Sequence, residues 1–136
     1  PRDSRAVISS LVHDLQKFPH REGVSTRTGE HFSLSTVLTD ALGFKDLFVH
    51  HEIIPPGRAS SSPHAHSHRE EMIYVLEGTA TAEFAGVSRQ LTPGQFMGFL
   101  PGPENRHCVR NCTDSPVRVL VIASNPAQDQ VLYTEL

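Results

Sequence analysis

Beyond residue 45 the chain reads as short runs of apolar and β-branched residues, each cut off by a turn signal. Leu47–Ile54 is rich in β-formers and stops at Pro55-Pro56-Gly57, where proline withholds a backbone donor and glycine permits a sharp turn. Glu71–Glu77 is the next run and ends at Gly78. Residues 79–84 and Val87–Leu91 flank Ala85-Gly86, a pairing that suits a tight hairpin. Thr92-Pro93-Gly94 precedes a strand at 96–100, and the loop Pro101-Gly102-Pro103-Glu104-Asn105 precedes another at 106–111. Strands at 117–123 and 130–134 complete the set. Short strands at this spacing predict an all-β sandwich or barrel.

Two of these strands are apolar on both faces. Val117, Val119, Val121 and Ala123 project one way, Leu120 and Ile122 the other; Ile73 and Val75 likewise oppose Met72, Tyr74 and Leu76. A strand of that kind has something packed on each side. In a closed barrel one side is the interior, so the other calls for a second sheet or a second subunit, and a homodimer is expected. Before residue 45 the pattern is mixed. Residues 6–12 suit a short helix or a strand equally, and Pro19, Gly23 and Gly29 interrupt any long element. The organisation expected is an N-terminal arm, 1–45, that packs on the barrel or extends it, followed by the barrel itself, 46–136.

Composition narrows the function classes. With 38% apolar and 20% charged residues the chain is an ordinary globular mixture, and 136 residues suit one core. A net charge of −3 without a Lys/Arg block argues against a nucleic-acid or anionic-membrane surface. No apolar run approaches the ~18 residues of a membrane span. The polar start Pro1-Arg2-Asp3-Ser4-Arg5 lacks the apolar centre of a secretory signal, so a cytoplasmic location is expected. Cys108 and Cys112, four apart along extended chain, would hold their Cα atoms about 13 Å apart, too far for a disulfide. Free thiols fit a reducing compartment.

Nine histidines change the picture most, through their placement. His64-Ala65-His66 sets two imidazoles at i and i+2, on one face of an extended chain. Glu70 and Glu71 both follow within reach, and His107 opens a later strand. Imidazole and carboxylate together suit first-row divalent metals. On spacing alone, Glu71 shares parity with Ile73 and Val75 and is preferred to Glu70, while His68 extends the run to HxHxH and competes with His64. His50 and His51 alternate faces, so at most one looks inward, and both read as ordinary strand histidines. His13, His20 and His31 read as surface residues.

These residues resemble the two motifs of the cupin superfamily. Pro56-Gly57, then His64-Ala65-His66, Glu71 and Gly78 follow the first; Pro93-Gly94, Pro101-Gly102, His107 and Asn111 follow the second. The loop 101–106 is longer than the family's usual connection. The resemblance covers residues 57–111 and is closest to small single-domain cupins with no assigned reaction. It implies a double-stranded β-helix, or jelly-roll, barrel. It also implies one divalent ion (Fe, Mn, Ni or Zn) held by His64, His66, Glu71 and His107, leaving His68 beside the mouth.

Around a six-coordinate ion such a set leaves two positions open to a small oxygenated ligand. Tyr74, Phe84, Phe96 and Phe99 are candidates to line the cavity, and Arg106, beside His107, to hold a carboxylate. With His68, the residues Arg106, Tyr74 and Phe96 form the expected substrate-binding set. The function expected is a small metal-dependent enzyme of dioxygenase, isomerase or lyase type acting on a small oxygenated molecule. The alternative is a non-catalytic module that binds or senses such a molecule. No glycine-rich phosphate loop, GxSxG elbow or Cys-His pair suggests other chemistry.

Overall fold

The computed structural model describes residues 3–133, and its strands follow the turn signals closely. Helix α1 (Ser4–Leu11) settles the ambiguity at 6–12: Asp3 caps it by accepting from the Arg5 backbone N–H, and none of its residues is buried. A 3-10 turn, Leu15–Lys17, leads to β1 (Arg21–Val24) and β2 (His31–Val37), an antiparallel pair. A short helix α2 (Leu38–Leu42) ends at Gly43, whose left-handed conformation turns the chain into β3 (Leu47–Ile54). The arm therefore supplies two sheet strands that its broken pattern concealed.

The remaining strands are β4 (His64–His66), β5 (Glu71–Glu77), β6 (Ala80–Phe84), β7 (Val87–Leu91), β8 (Phe96–Phe99), β9 (His107–Arg110), β10 (Val117–Ser124) and β11 (Val131–Tyr133). Thr134, the expected end of the last strand, lies outside the described residues. Six strands form one sheet in the order β1-β2-β3-β10-β5-β8, and five form the other in the order β11-β4-β9-β6-β7, paired antiparallel throughout. The core lies between them. Ile54, Ile73, Val75, Phe99, Val117, Val119 and Val121 come from the first sheet, and Ala80, Ala82, Leu91 and Val109 from the second. Small side chains on the second sheet match large branched ones on the first, which keeps the two faces close.

The motif residues outside the histidines have structural work. Gly78 has φ 79°, and a Cβ there would lie 2.7 Å from the Pro116 carbonyl oxygen, so no other residue fits that turn. Asn111 is buried; its amide donates to the carbonyls of Ile54 and Ser115, and its oxygen accepts from Thr113. It ties the end of β3 to the loop before β10.

Both thiols are free. β9 ends at Arg110, which leaves Cys112 in the exposed loop beyond it, while Cys108 is buried and its S–H donates to the Ser61 carbonyl. Burial pushes the Cys108 thiol up to about 11. In native protein a thiol reagent should therefore modify Cys112 alone, with Cys108 reacting only on unfolding. Equal rates for both, or no free thiol after unfolding, would contradict the buried, unbridged placement.

Glu52 on β3 is buried inside the barrel, and desolvation together with the charge of Glu71 pushes its carboxyl up to about 8. The unfolded chain loses this proton near the ordinary value of 4.5. Between those values the folded state binds more protons, so the stability of metal-free protein should fall as pH rises from about 4.5 to about 8. Glu52→Gln should flatten that decline in denaturant titrations run across the window; an unchanged slope would show the carboxyl ionised throughout.

Candidate metal centre

Strand β4 is three residues long and lies between β11 and β9. Its alternation sends His64 and His66 inward together, ring centroids 5.0 Å apart, with Ala65 facing away and fully buried. β4 meets β9 at one position, His64 opposite His107, which brings those rings to 4.7 Å. From the facing sheet, Glu71 opens β5 on the same side as Ile73 and Val75. His64, His66 and Glu71 each offer a ligand atom within 4.8 Å of the others. His107 is not part of that close trio, and it joins through Glu71: its Nε2 lies 3.3 Å from Glu71 Oε1.

The hydrogen bonds behind the rings decide which nitrogens face the centre. His64 Nδ1 lies 2.9 Å from the Ser62 carbonyl oxygen, and His107 Nδ1 lies 2.9 Å from that of Asn105. A carbonyl only accepts, so each Nδ1 carries a proton, and in the neutral imidazole each Nε2 then keeps its lone pair for the centre. His66 Nδ1 lies 2.8 Å from Asp129 Oδ2, the carboxylate–histidine arrangement that orients a metal-binding imidazole. Its Nε2 is buried and has no hydrogen-bond partner, although Glu71 Oε2 is only 3.2 Å away. Both oxygens of Glu71 therefore face imidazole lone pairs.

Acceptors facing acceptors at this distance need a cation between them, a proton or a metal. Burial raises the Glu71 carboxyl, but the neighbouring His107 and His66 imidazoles outweigh it and hold it well below the usual range, as a proton shared with them would. Glu71 raises His66, whereas burial lowers His64. The donor set fits a divalent first-row ion: borderline nitrogens, one hard oxygen and an orphaned nitrogen aimed at the centre.

The wall beside His107 is aromatic. Phe99 stacks on His107 with centroids 3.7 Å apart and rings parallel to 2°, and Phe84 stacks behind Phe99 at 6.2 Å. The long loop 101–106 coils into a 3-10 turn, Pro103–Asn105, and this supplies the Asn105 carbonyl that orients His107.

Other sequence candidates lie elsewhere. Glu70 is exposed, and exposed His68 turns to Ser67 Oγ, away from the trio. Tyr74 and Phe96 face each other on the outer side of their sheet, rings stacked at 6.1 Å, because their parity opposes that of Glu71 and Phe99. Phe96 is 65% exposed. The structure does not bring those two to the centre. Arg106 is exposed in a groove shared with Glu83, Glu104 and Cys108, which reaches the edge of His107. His50 faces inward and His51 outward, where His20, half-buried rather than a free surface residue, bonds it at 2.8 Å.

Asp129 was invisible to motif reasoning. It sits in a turn after the last motif, and its Oδ1 accepts from the backbone N–H groups of His68 and Arg69. Burial raises its carboxyl, but those bonds and the one from His66 bring it below the ordinary value. The rim is also unannounced: Tyr133 lies 6.2 Å from His64, with the Arg27 guanidinium 4.4 Å over its ring.

Residues 50–123 match the family model described as the cupin domain. No protein of curated function matches the chain. Among solved structures, a cupin-superfamily sugar phosphate isomerase from Silicibacter pomeroyi superposes with TM-score 0.84 at 26% identity, over 92% of this chain and 82% of that one. A protein provisionally named a sugar phosphate isomerase, from Acidithiobacillus ferrooxidans, gives 0.82 at 28%, over 96% and 83%. The polyketide cyclase RemF from Streptomyces resistomycificus gives 0.71 at 20%, over 92% and 87%, and shares the fold.

Asp129→Asn keeps the shape of its side chain and removes its charge. Affinity for a divalent ion, read by competition with a coloured chelator, should fall about 10–100-fold. Unchanged affinity would mean that Asp129 merely closes the turn.

Proposed function

The chain belongs to the cupin domain family, and from that premise we propose that it is a metal-dependent enzyme acting on a small oxygenated molecule. One divalent ion (Fe, Mn, Ni or Zn) would be held by His64, His66, Glu71 and His107. The observation that carries the reading is the set of lone pairs turned on Glu71, with each His Nδ1 tied behind by Ser62, Asp129 or Asn105. An ion there supplies Lewis acidity to an oxygen of the bound molecule.

The protein's own groups do the rest. Phe99 and Phe84 exclude water from one side and hold the His107 ring plane. A groove lined by Leu47, Glu70, Glu71, Phe99 and Leu100 gives access at the barrel end. Of the reaction types open to such a site, isomerisation has the most support, because two structures above 25% identity carry that name. The free thiols support a cytoplasmic setting, and among the described residues no helix is long and apolar enough to cross a membrane.

Metal analysis of purified variants tests the centre. Wild type should hold one divalent ion per chain, with affinity falling as pH drops toward and below ~6, where imidazoles protonate. His107→Ala should lose most of the ion while folding normally, Glu71→Gln should weaken binding less, and His68→Ala should retain it. Emptying by His68→Ala but not by His64→Ala would shift the assignment by one histidine. Incubation of loaded protein with phosphorylated aldoses and ketoses, followed by NMR, should show chelator-sensitive interconversion. Tight binding without turnover of any tested compound would replace the enzyme by a binding module.

We also propose a homodimer through the outer face of the six-stranded sheet. Met72, Tyr74, Leu120 and Ile122 are only half-covered there, Leu76 and Phe96 are exposed, and no residue of α1 is fully buried. Sedimentation at micromolar concentration should give twice the mass of the chain, and Tyr74→Glu should yield monomer. A wild-type monomer would overturn the proposal.

A further inference from the structure

The inner face of β3 carries polar groups that the metal centre does not use. Its inward positions include His50 and Glu52, and the neighbouring β2 adds Ser35, opposite Glu52, and buried Ser33. β10 sets the levels: Ala123 faces Glu71 on one side and Phe48 on the other, Val121 faces Ile73 and His50, and Val119 faces Val75 and Glu52. His50 and Glu52 are therefore successive steps below the level of Glu71, on the strand beyond β10.

Glu52 is the anomaly. It is 6% exposed, its Oε1 lies 3.4 Å from His50 Nδ1, and its Oε2 has no hydrogen-bond partner among the described residues. A buried carboxyl oxygen without a partner destabilises a fold, and such groups are found where a ligand completes them. In metal-free protein, burial and then the charge of Glu71 push it up to about 8, with the Ser33 hydroxyl opposing, which leaves it neutral near pH 7. His50, lowered to about 4 mainly by burial, with Glu71 opposing and Arg69 assisting, is neutral too. The other facing groups, Val119 and Val121 on β10, are apolar. A neutral carboxyl can both donate and accept, the pairing that a hydroxyl or carbonyl group asks for.

We propose that Glu52, backed by His50, is a ligand subsite that takes a hydroxyl or carbonyl oxygen of the small molecule whose other oxygens face the metal centre. The inference rests on the proposed function and narrows it: the ligand carries oxygen functions at two separated positions, as a polyhydroxy acid or sugar derivative does. A hydrocarbon-tailed acid would leave Glu52 unmatched.

The probes are gluconate, which has a carboxylate and a chain of hydroxyls, and acetate, which has the carboxylate alone. Cobalt-loaded wild type, read by its visible spectrum, should bind gluconate at least 10-fold more tightly than acetate. Glu52→Leu should keep its cobalt and lose that preference, and Glu52→Gln should lose part of it, guarding against a folding defect in the leucine variant. In infrared difference spectra, loaded and metal-free, the protonated-carboxyl band absent from Glu52→Gln should shift when gluconate is added. A preference surviving in both variants, or a band that gluconate leaves unmoved (a buried water only), overturns the subsite while leaving the metal centre intact. Loss of cobalt from Glu52→Leu would overturn it too, by making Glu52 part of the metal shell. A wild type that binds no cobalt, yet shows the infrared shift in metal-free protein, would instead sink the metal reading and keep the subsite.

Discussion

Everything at the functional end of this barrel depends on one electrostatic constraint: imidazole lone pairs and a carboxylate are held face to face inside apolar walls. Left uncompensated, that arrangement is repulsive, and solvent is too scarce there to screen it. Its persistence requires fixed geometry from behind. The Ser62 and Asn105 carbonyls and the Asp129 carboxylate supply it, each claiming the Nδ1 of one ring. The donor set thus fits a cation, a proton or a metal ion, between the rings and the carboxylate.

The fold serves that constraint through pleat and register. A three-residue strand suffices for two ligands because alternation returns every second side chain to the same face. The cross-strand pair of His64 with His107 brings imidazoles of the two motifs together, and Glu71 arrives from the opposite sheet at the level where Phe99 can stack on His107. Below this level the barrel fills with Ile73, Val75, Val119 and Val121, so the polar centre stays near one end. Glu52 breaks that apolar floor, and for that reason its unmatched oxygen is informative.

Much of this was legible in the residues because turns and parity are local. Pro55-Pro56-Gly57, Gly78 and Ala85-Gly86 bounded strands that the structure places within a residue or two. Parity separated Glu71 from Glu70 and grouped Ile73 with Val75. What failed was parity without register. Tyr74 and Phe96 looked like cavity aromatics, yet they pair across β5 and β8 on the outer face. What was missed is long-range. Asp129 lies 63 residues from His66, and β1 and β2 hide in a stretch broken by glycines. No spacing rule reaches across such separations.

X-ray absorption at the edge of a zinc or cobalt ion loaded to one per chain probes the constraint itself. The account predicts the multiple-scattering signature of several imidazoles together with an oxygen ligand, diminished in His107→Ala. A loaded ion surrounded by water oxygens alone would contradict it, since the lone pairs of His64, His66 and His107 would then be facing one another for some other reason.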